Sequence, residues 1–244
     1  MVKDKAPARP SRRKGNDHLN QEQIVAAALA IIDRDGLEGF SMREVARELG
    51  VYPTSIYWHF KTGKNALLAA VASKALDGVT PALHLDDDWK EWIRLLFRRY
   101  RQALAKHPNV APLLGAQLVS NAGVNPILVE RLLTALHGAG FREGALVDAY
   151  NAVLAGMLGY VTLEFAPTPR DDPDVWAHEF EQNLRGLPSD HYPLIQANFA
   201  RLANRAFILR WESGSTAPLD GGFETYLDVF VLGLEARLAR HTVG

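Results

Sequence analysis

Between Leu19 and Gly50 the chain spells out where two helices start and stop, and this punctuation constrains the fold more than any other feature. Asn20 and Gln23 have the spacing of a capping box, with Leu19 and Ile24 as the hydrophobic staple around it. Ile24, Ala27, Ala28 and Ile31 then mark one helical face, and Gly36 followed by Leu37 reads as a left-handed stop. The pattern repeats at once. Ser41 and Glu44 form a second capping box, Phe40 and Val45 a second staple, and Gly50 ends a helix of about two turns lined by Met42, Val45, Ala46 and Leu49. Pro53 holds Tyr52 extended, so a third short helix begins at Pro53 or Thr54 and runs to about Phe60.

Apolar residues recur at helical spacing through the rest of the chain, and strand signals are almost absent, which predicts an all-α protein. Further helices are expected at about 64–79, with Leu67, Leu68, Val71 and Ala75 on the apolar side, and at about 87–106, 110–120 and 126–138. The stretch 145–165 is apolar almost all round and predicts a helix buried centrally in a bundle. A helix at 174–185 and two long ones at 190–212 and 221–240 close the chain. Ala197, Ala200, Ala203 and Ala206 on one, and Phe223, Leu227, Phe230 and Leu234 on the other, predict a four-helix interface with a second copy.

Composition narrows the function. The 244 residues contain no cysteine, which excludes disulfides, thiolate metal sites and cysteine nucleophiles. No run approaches the roughly 20 apolar residues of a membrane span, and the basic start has no apolar stretch of a secretory signal. A cytoplasmic protein without membrane contact is expected. Charge is uneven: residues 1–66 hold 11 Lys/Arg against 8 Asp/Glu, the remainder 16 against 20. Lys3, Lys5, Arg9, Arg12, Arg13 and Lys14 concentrate the excess in a flexible tail, residues 1–17, suited to phosphates. No Ser-His-Asp arrangement or paired carboxylate emerges, and His107 and His178 lack spaced partners for a metal. No catalytic residue, metal or cofactor is expected.

The second and third helices, joined through Gly50, match a helix-turn-helix. Ala46 is small where they cross, and Val51, Ile56 and Phe60 fill the space between. Thr54, Ser55, Tyr57 and His59 are left facing outward, fit to meet base edges and phosphates in a major groove, while Trp58 is expected in the domain core.

The stretches "LNQEQIVAAALAIIDRDGLEGFSMREVARELGV" and "SIYWHFKTGKNALL" resemble the DNA-binding domain of the TetR family. "HPNVAPLLGAQLVSNAG", "LTALHGAGF", "DAYNAVLAGMLGYVTLE" and "GFETYLDVFVLGLEARL" resemble the C-terminal domain of its tetracycline-repressor subgroup. The resemblance implies a helix-turn-helix domain at 18–66 and a ligand-binding and dimerisation domain at 67–244. It implies a homodimeric repressor that leaves a palindromic double-stranded DNA operator when a small molecule binds. Arg43 matches a position that reaches guanine, Ser41 a phosphate-contacting helix start, Tyr57 a tyrosine at the DNA surface, and Ser55 and His59 phosphate contacts. Thr54 stands at the base-reading end with an identity of its own, and Lys64 follows Phe60 after three residues where the family usually has two.

In tetracycline-binding members a histidine and a threonine help place a magnesium-bound drug. Leu113 and Ala116 stand in those places, so another, largely apolar effector is expected. Leu96, Tyr100, Leu113, Gln117, Leu133, Tyr150, Leu154, Met157 and Trp176 are the residues expected to line its cavity. The competing reading is an all-α small-molecule binder or enzyme without a DNA role, which the exposed Thr54–His59 face and the basic tail disfavour.

Overall fold

The computed structural model describes residues 19–84, 86–116, 125–169 and 171–241. Among these, every regular element is helical: α1 (Gln21–Gly39), α2 (Met42–Glu48), α3 (Pro53–His59), α4 (Lys64–Ala75), α5 (Trp89–Lys106), a 3₁₀ turn (Pro108–Val110), α6 (Ala111–Ala116), α7 (Pro126–Ala139), α8 (Glu143–Glu164), α9 (Pro173–Arg185), α10 (Pro193–Leu202) and α11 (Asp220–His241). The all-α fold expected from periodicity is the fold found.

The first capping box forms in full, the second only by its Ser41 half, with the Glu44 carboxylate on Arg47, and α1 runs on to Gly39 across a kink at Gly36, φ +68, where a stop was expected. Asn20 Oδ1 accepts from Gln23 N at 2.8 Å while Gln23 Oε1 accepts from Asn20 N at 3.0 Å. Ser41 Oγ accepts from Glu44 N at 3.1 Å. α1 packs against α4 and the 3₁₀ turn, and α2 against α3. One continuous core runs from Ile24, Ile31, Val45 and Ile56 through Leu67 and Val71 to Leu96, Phe97, Leu136, Val153 and Leu227.

Three expectations need correction. The helix predicted at 190–212 ends at Leu202. Asn204 turns the chain at φ +57, where its Oδ1 accepts from Trp211 N at 2.9 Å and Glu212 N at 3.0 Å. Asn is the non-glycine residue that best tolerates this left-handed geometry. Secondly, α8 is not central: Ala149, Val153, Met157 and Val161 are buried, while Val147 and Leu163 on its other side are exposed. The expectation that no run approaches a membrane span is corrected with it: by length and composition this helix is apolar enough to cross a membrane, but its inner face packs on α6 and α7. Thirdly, Phe223, Leu227 and Leu234 of α11 are buried within the chain, with Phe230 partly so, against α5 and α8. The outward apolar residues of α11 are Val229 and Leu232 instead.

Where α8 ends, a buried ion pair fastens the last third of the chain. Glu164, 1% exposed, accepts from Arg101 Nε at 2.7 Å and Nη2 at 2.6 Å, and from Leu219 N at 2.9 Å. Gly214 N donates to the Glu164 carbonyl at 2.9 Å, so close that a Cβ on Gly214 would stand 2.6 Å from that oxygen. The Glu164 hydrogen bonds, and then Asp220 at 2.8 Å, hold the Arg101 guanidinium more firmly protonated than usual.

Removing one partner of a buried pair costs about 3–5 kcal/mol because the other is left uncompensated. Asp220 remains for Arg101, so Glu164→Ala is expected near the lower end of that range, lowering the unfolding midpoint by roughly 6–12 °C. The exposed Arg98–Glu224 pair is the contrast, with Arg98→Ala expected to cost under about 1 kcal/mol. Thermal melts of the two variants check both values.

Candidate functional site

The turn between α2 and α3 sets the outward surface. Gly50 takes φ +66, which lets the chain fold back without the penalty a Cβ would bring. Val51 N then donates to Ala46 O at 2.9 Å, locking the corner. Tyr52 is extended at φ −76, ψ 145, and Pro53 occupies the first turn of α3, where its missing N–H costs nothing.

Ile56 and Phe60, one turn apart, take the inner face of α3 and are buried. Trp58 lies two positions from each, about 200° around the helix, and is 79% exposed. The expectation that Trp58 packs in the core is therefore corrected: a helix of two turns has one inner face, and Ile56 and Phe60 fill it. Tyr52 at 81% and Tyr57 at 50% exposure share the outer surface. Thr54 is exposed, Ser55 and His59 half-buried. Thr54, Tyr57, Trp58 and Lys61 border a shallow recess on this face. The His59 carbonyl accepts from Gln21 Nε2 at 3.0 Å, which ties the end of α3 to the start of α1.

Arg43, on α2, is exposed, and no ion pair is found for it among the described residues. The nearby acids are engaged elsewhere: Glu44 pairs with Arg47, and Glu48 with Arg34 at 3.5 Å. The Glu44 carboxylate, first by hydrogen bond and then by charge, raises the pKa of Arg47. Ser41 Oγ accepts from the backbone and keeps its own proton to donate. Lys64 begins α4, exposed, with Nζ 5.3 Å above the centre of the Phe40 ring. The extra connecting residue is absorbed at Gly63, at φ +82, whose N donates to Phe60 O at 2.9 Å.

A second feature lies on the far side of α4. A cavity of about 280 Å³ is enclosed by α4 (Ala69, Ala72, Ser73, Leu76), Val79 and Thr80 beyond it, Tyr100 of α5, Leu114 of α6, Leu128 and Val129 of α7 with its cap Asn125, and Tyr150, Leu154, Met157 and Leu158 of α8. Of the residues expected to line a cavity, Tyr100, Tyr150, Leu154 and Met157 meet here. Leu96 and Leu113 are core residues without access to it, Leu133 of α7 does not border it, and Trp176 of α9 stacks on Phe180 at 5.3 Å. Gln117 lies outside the described residues. The wall supplied by α4 went unread in the sequence. Its signal was available in "KNALLAAVASKA", which is small and apolar on both sides of the helix.

The family described as "Bacterial regulatory proteins, tetR family" matches residues 24–71, and the "Tetracyclin repressor-like, C-terminal domain" matches residues 80–238. The chain belongs to the TetR family. It is 31% identical over 221 residues to an HTH-type transcriptional regulator of Saccharopolyspora erythraea, covering 88% of this chain and 81% of that one. It is 32% identical over 226 residues to the class A tetracycline repressor protein of Escherichia coli, covering 90% and 92%. Among solved structures it is similar to Mycobacterium smegmatis BioQ, with TM-score 0.61, 27% identity and coverage of 89% and 99%. A structure of BioQ with its natural double-stranded DNA operator has TM-score 0.54 and 35% identity, covering 61% of this chain and 89% of that one. This TetR-family protein is a DNA-binding transcriptional regulator of the helix-turn-helix type.

An uncommitted guanidinium suits the O6 and N7 of guanine, a contact that discriminates by about 1–3 kcal/mol. Arg43→Ala is therefore expected to weaken operator binding about 5- to 150-fold and to relax preference at one base pair of each half-site. Gel shifts on operators varied base by base check this, and a uniform loss across all positions would instead make Arg43 a phosphate contact.

Proposed function

We propose that the protein is a homodimeric repressor whose residues 18–66 read a palindromic operator and whose residues 67–244 bind a small effector and a second subunit. It acts in the cytoplasm as a binding switch, not as an enzyme. One observation carries the reading: α4 is a wall of the cavity and begins five residues after α3 ends. An effector in the cavity bears directly on α4, which packs on α1, and the start of α1 holds the end of α3 through Gln21 Nε2 and the His59 carbonyl. The named complex of the relative BioQ with double-stranded operator DNA supports the DNA half of the reading.

On DNA, Tyr52, Thr54, Tyr57 and Trp58 meet base edges and sugars, while Ser41, Ser55, His59 and Lys64 donate to phosphates. A dimer sets its two α3 helices one DNA turn apart, about 34–36 Å. The second subunit packs on the outward apolar strips of α8 and α11, which touch each other in this chain and carry Val147, Leu163, Val229 and Leu232. Left uncovered, such strips are the kind of surface that marks an interface.

An effector moves the dimer off DNA only through unequal affinity for the two spacings of the α3 helices. With α4 forming one side of the cavity, a change in the angle of α4 changes the cavity and the spacing together. The largely apolar lining points to an effector unlike a magnesium-chelated drug, because no histidine or carboxylate borders the cavity among the described residues.

Tyr57→Ala is expected to reduce operator binding by at least about tenfold, the loss of one direct contact to the duplex worth roughly 1.4 kcal/mol, with the dimer intact by sedimentation. A variant that binds its operator normally would remove α3 from the interface. Calorimetry with tetracycline and magnesium is expected to show no binding, and tight magnesium-dependent uptake would refute the apolar-effector reading.

A further inference from the structure

On the reading that residues 18–66 dock on an operator, we propose that Tyr52 is a specificity-determining residue: its ring packs on the C5-methyl group of a thymine in the major groove, so that each half-site carries one thymine selected by Tyr52.

Tyr52 stands in the corner between α2 and α3 and is the most exposed large apolar residue of the helix-turn-helix. Its place is fixed from both sides. Gly50 at φ +66 and the hydrogen bond from Val51 N to Ala46 O, 2.9 Å, set the chain before it. Pro53 and the hydrogen bond from Ser55 N to Tyr52 O, 2.9 Å, set the chain after it. The side chain itself makes no capping hydrogen bond. A tyrosine has only two side-chain torsions to fix, so it presents a large flat contact at low entropic cost. On a backbone already held in place, such a ring can favour one base over its neighbour.

The chemistry of the corner and of α3 decides which base. Residues 50–61, "GVYPTSIYWHFK", contain no Asp, Glu, Asn, Gln or Arg. The segment therefore lacks the carboxylate that accepts from cytosine N4, the amide that grips adenine N6 and N7, and the guanidinium that forks onto guanine. Its one lysine, Lys61, stands past the opposite end of α3 from Tyr52. The hydroxyls of Thr54 and Ser55 can pair with several bases and separate them poorly. What remains is apolar contact, and the apolar group that a base pair shows in the major groove is the thymine methyl. Thr54, Tyr57, Trp58 and Lys61 share one recess, and Tyr52 stands outside it, so its ring is left for a base of its own.

The test uses the full-length protein and two steps. Selection from a randomised duplex library supplies a bound sequence. Affinity is then measured by fluorescence anisotropy at fixed salt, with each thymine replaced in turn by uracil, which lacks only the methyl group. One thymine in each half-site is expected to weaken binding about fourfold when replaced, the value of one buried methyl group. Tyr52→Ala should bind thymine and uracil equally at that place, and Tyr52→Phe should keep the difference. Tyr57→Ala should lose affinity overall and also keep it. A bound sequence in which no thymine responds to loss of its methyl overturns the proposal and leaves α3 a DNA reader. So does a response that persists at every such thymine in Tyr52→Ala. Loss of the difference in Tyr52→Phe overturns it as well, because the hydroxyl and not the ring would then make the contact. If the library yields no enriched sequence, the proposal and the operator reading fall together. The uracil scan of the unaltered protein stands without any variant, and replacing the exposed Tyr52 removes no core contact.

Discussion

α4 is the helix on which both halves of the molecule depend, because it has two apolar sides and two partners. Leu67, Leu68, Val71 and Ala75 are buried on the side that meets α1. Ala69, Ala72, Ser73 and Leu76 face the cavity. A helix of this kind cannot be left in water on either side without exposing apolar surface, so it fixes the N-terminal unit against the bundle by burial alone. The small residues on the cavity side keep that wall smooth and leave room beside it. The same property makes α4 sensitive: anything that fills the cavity pushes on a helix whose opposite face is already committed.

The N-terminal domain was legible in the sequence because its information is local. Capping boxes, staples and a glycine at the corner are relations within four or five residues; the first box reappears in full, the second by its Ser41 half, and Gly50 by its dihedral angle. The misplacement of Trp58 has a different origin. Aromatic residues are usually buried, but α3 has only one buried face, and two turns of helix present it at Ile56 and Phe60. A helix of two turns with Ile56 and Phe60 inward leaves Trp58 outside, beside Tyr52 and Tyr57.

The C-terminal half was legible as helices and less so as packing. An apolar stripe does not name its partner. Phe223, Leu227 and Leu234 have the spacing of an interface and are taken up within the chain by α5 and α8. α8 is apolar all round, which predicts a central helix, yet half of that character faces outward. The break after Leu202 turned on one residue, Asn204, whose side chain caps Trp211 and Glu212 several positions on. That contact is tertiary, and helical periodicity runs straight through it.

A second tie joins the two halves. At the far end of α1, Asp33 Oδ2 meets His107 Nδ1 at 2.9 Å, and the Asp33 carbonyl accepts from Asn109 Nδ2 at 2.9 Å. These partners stand between α5 and α6, His107 capping the 3₁₀ turn that packs on α1 and Asn109 within it. The N-terminal unit is therefore held at two places, along α4 and at this polar clasp. A ligand in the cavity therefore acts on a unit held at two places, and the free energy of any shift comes only from how differently that ligand fits the two states.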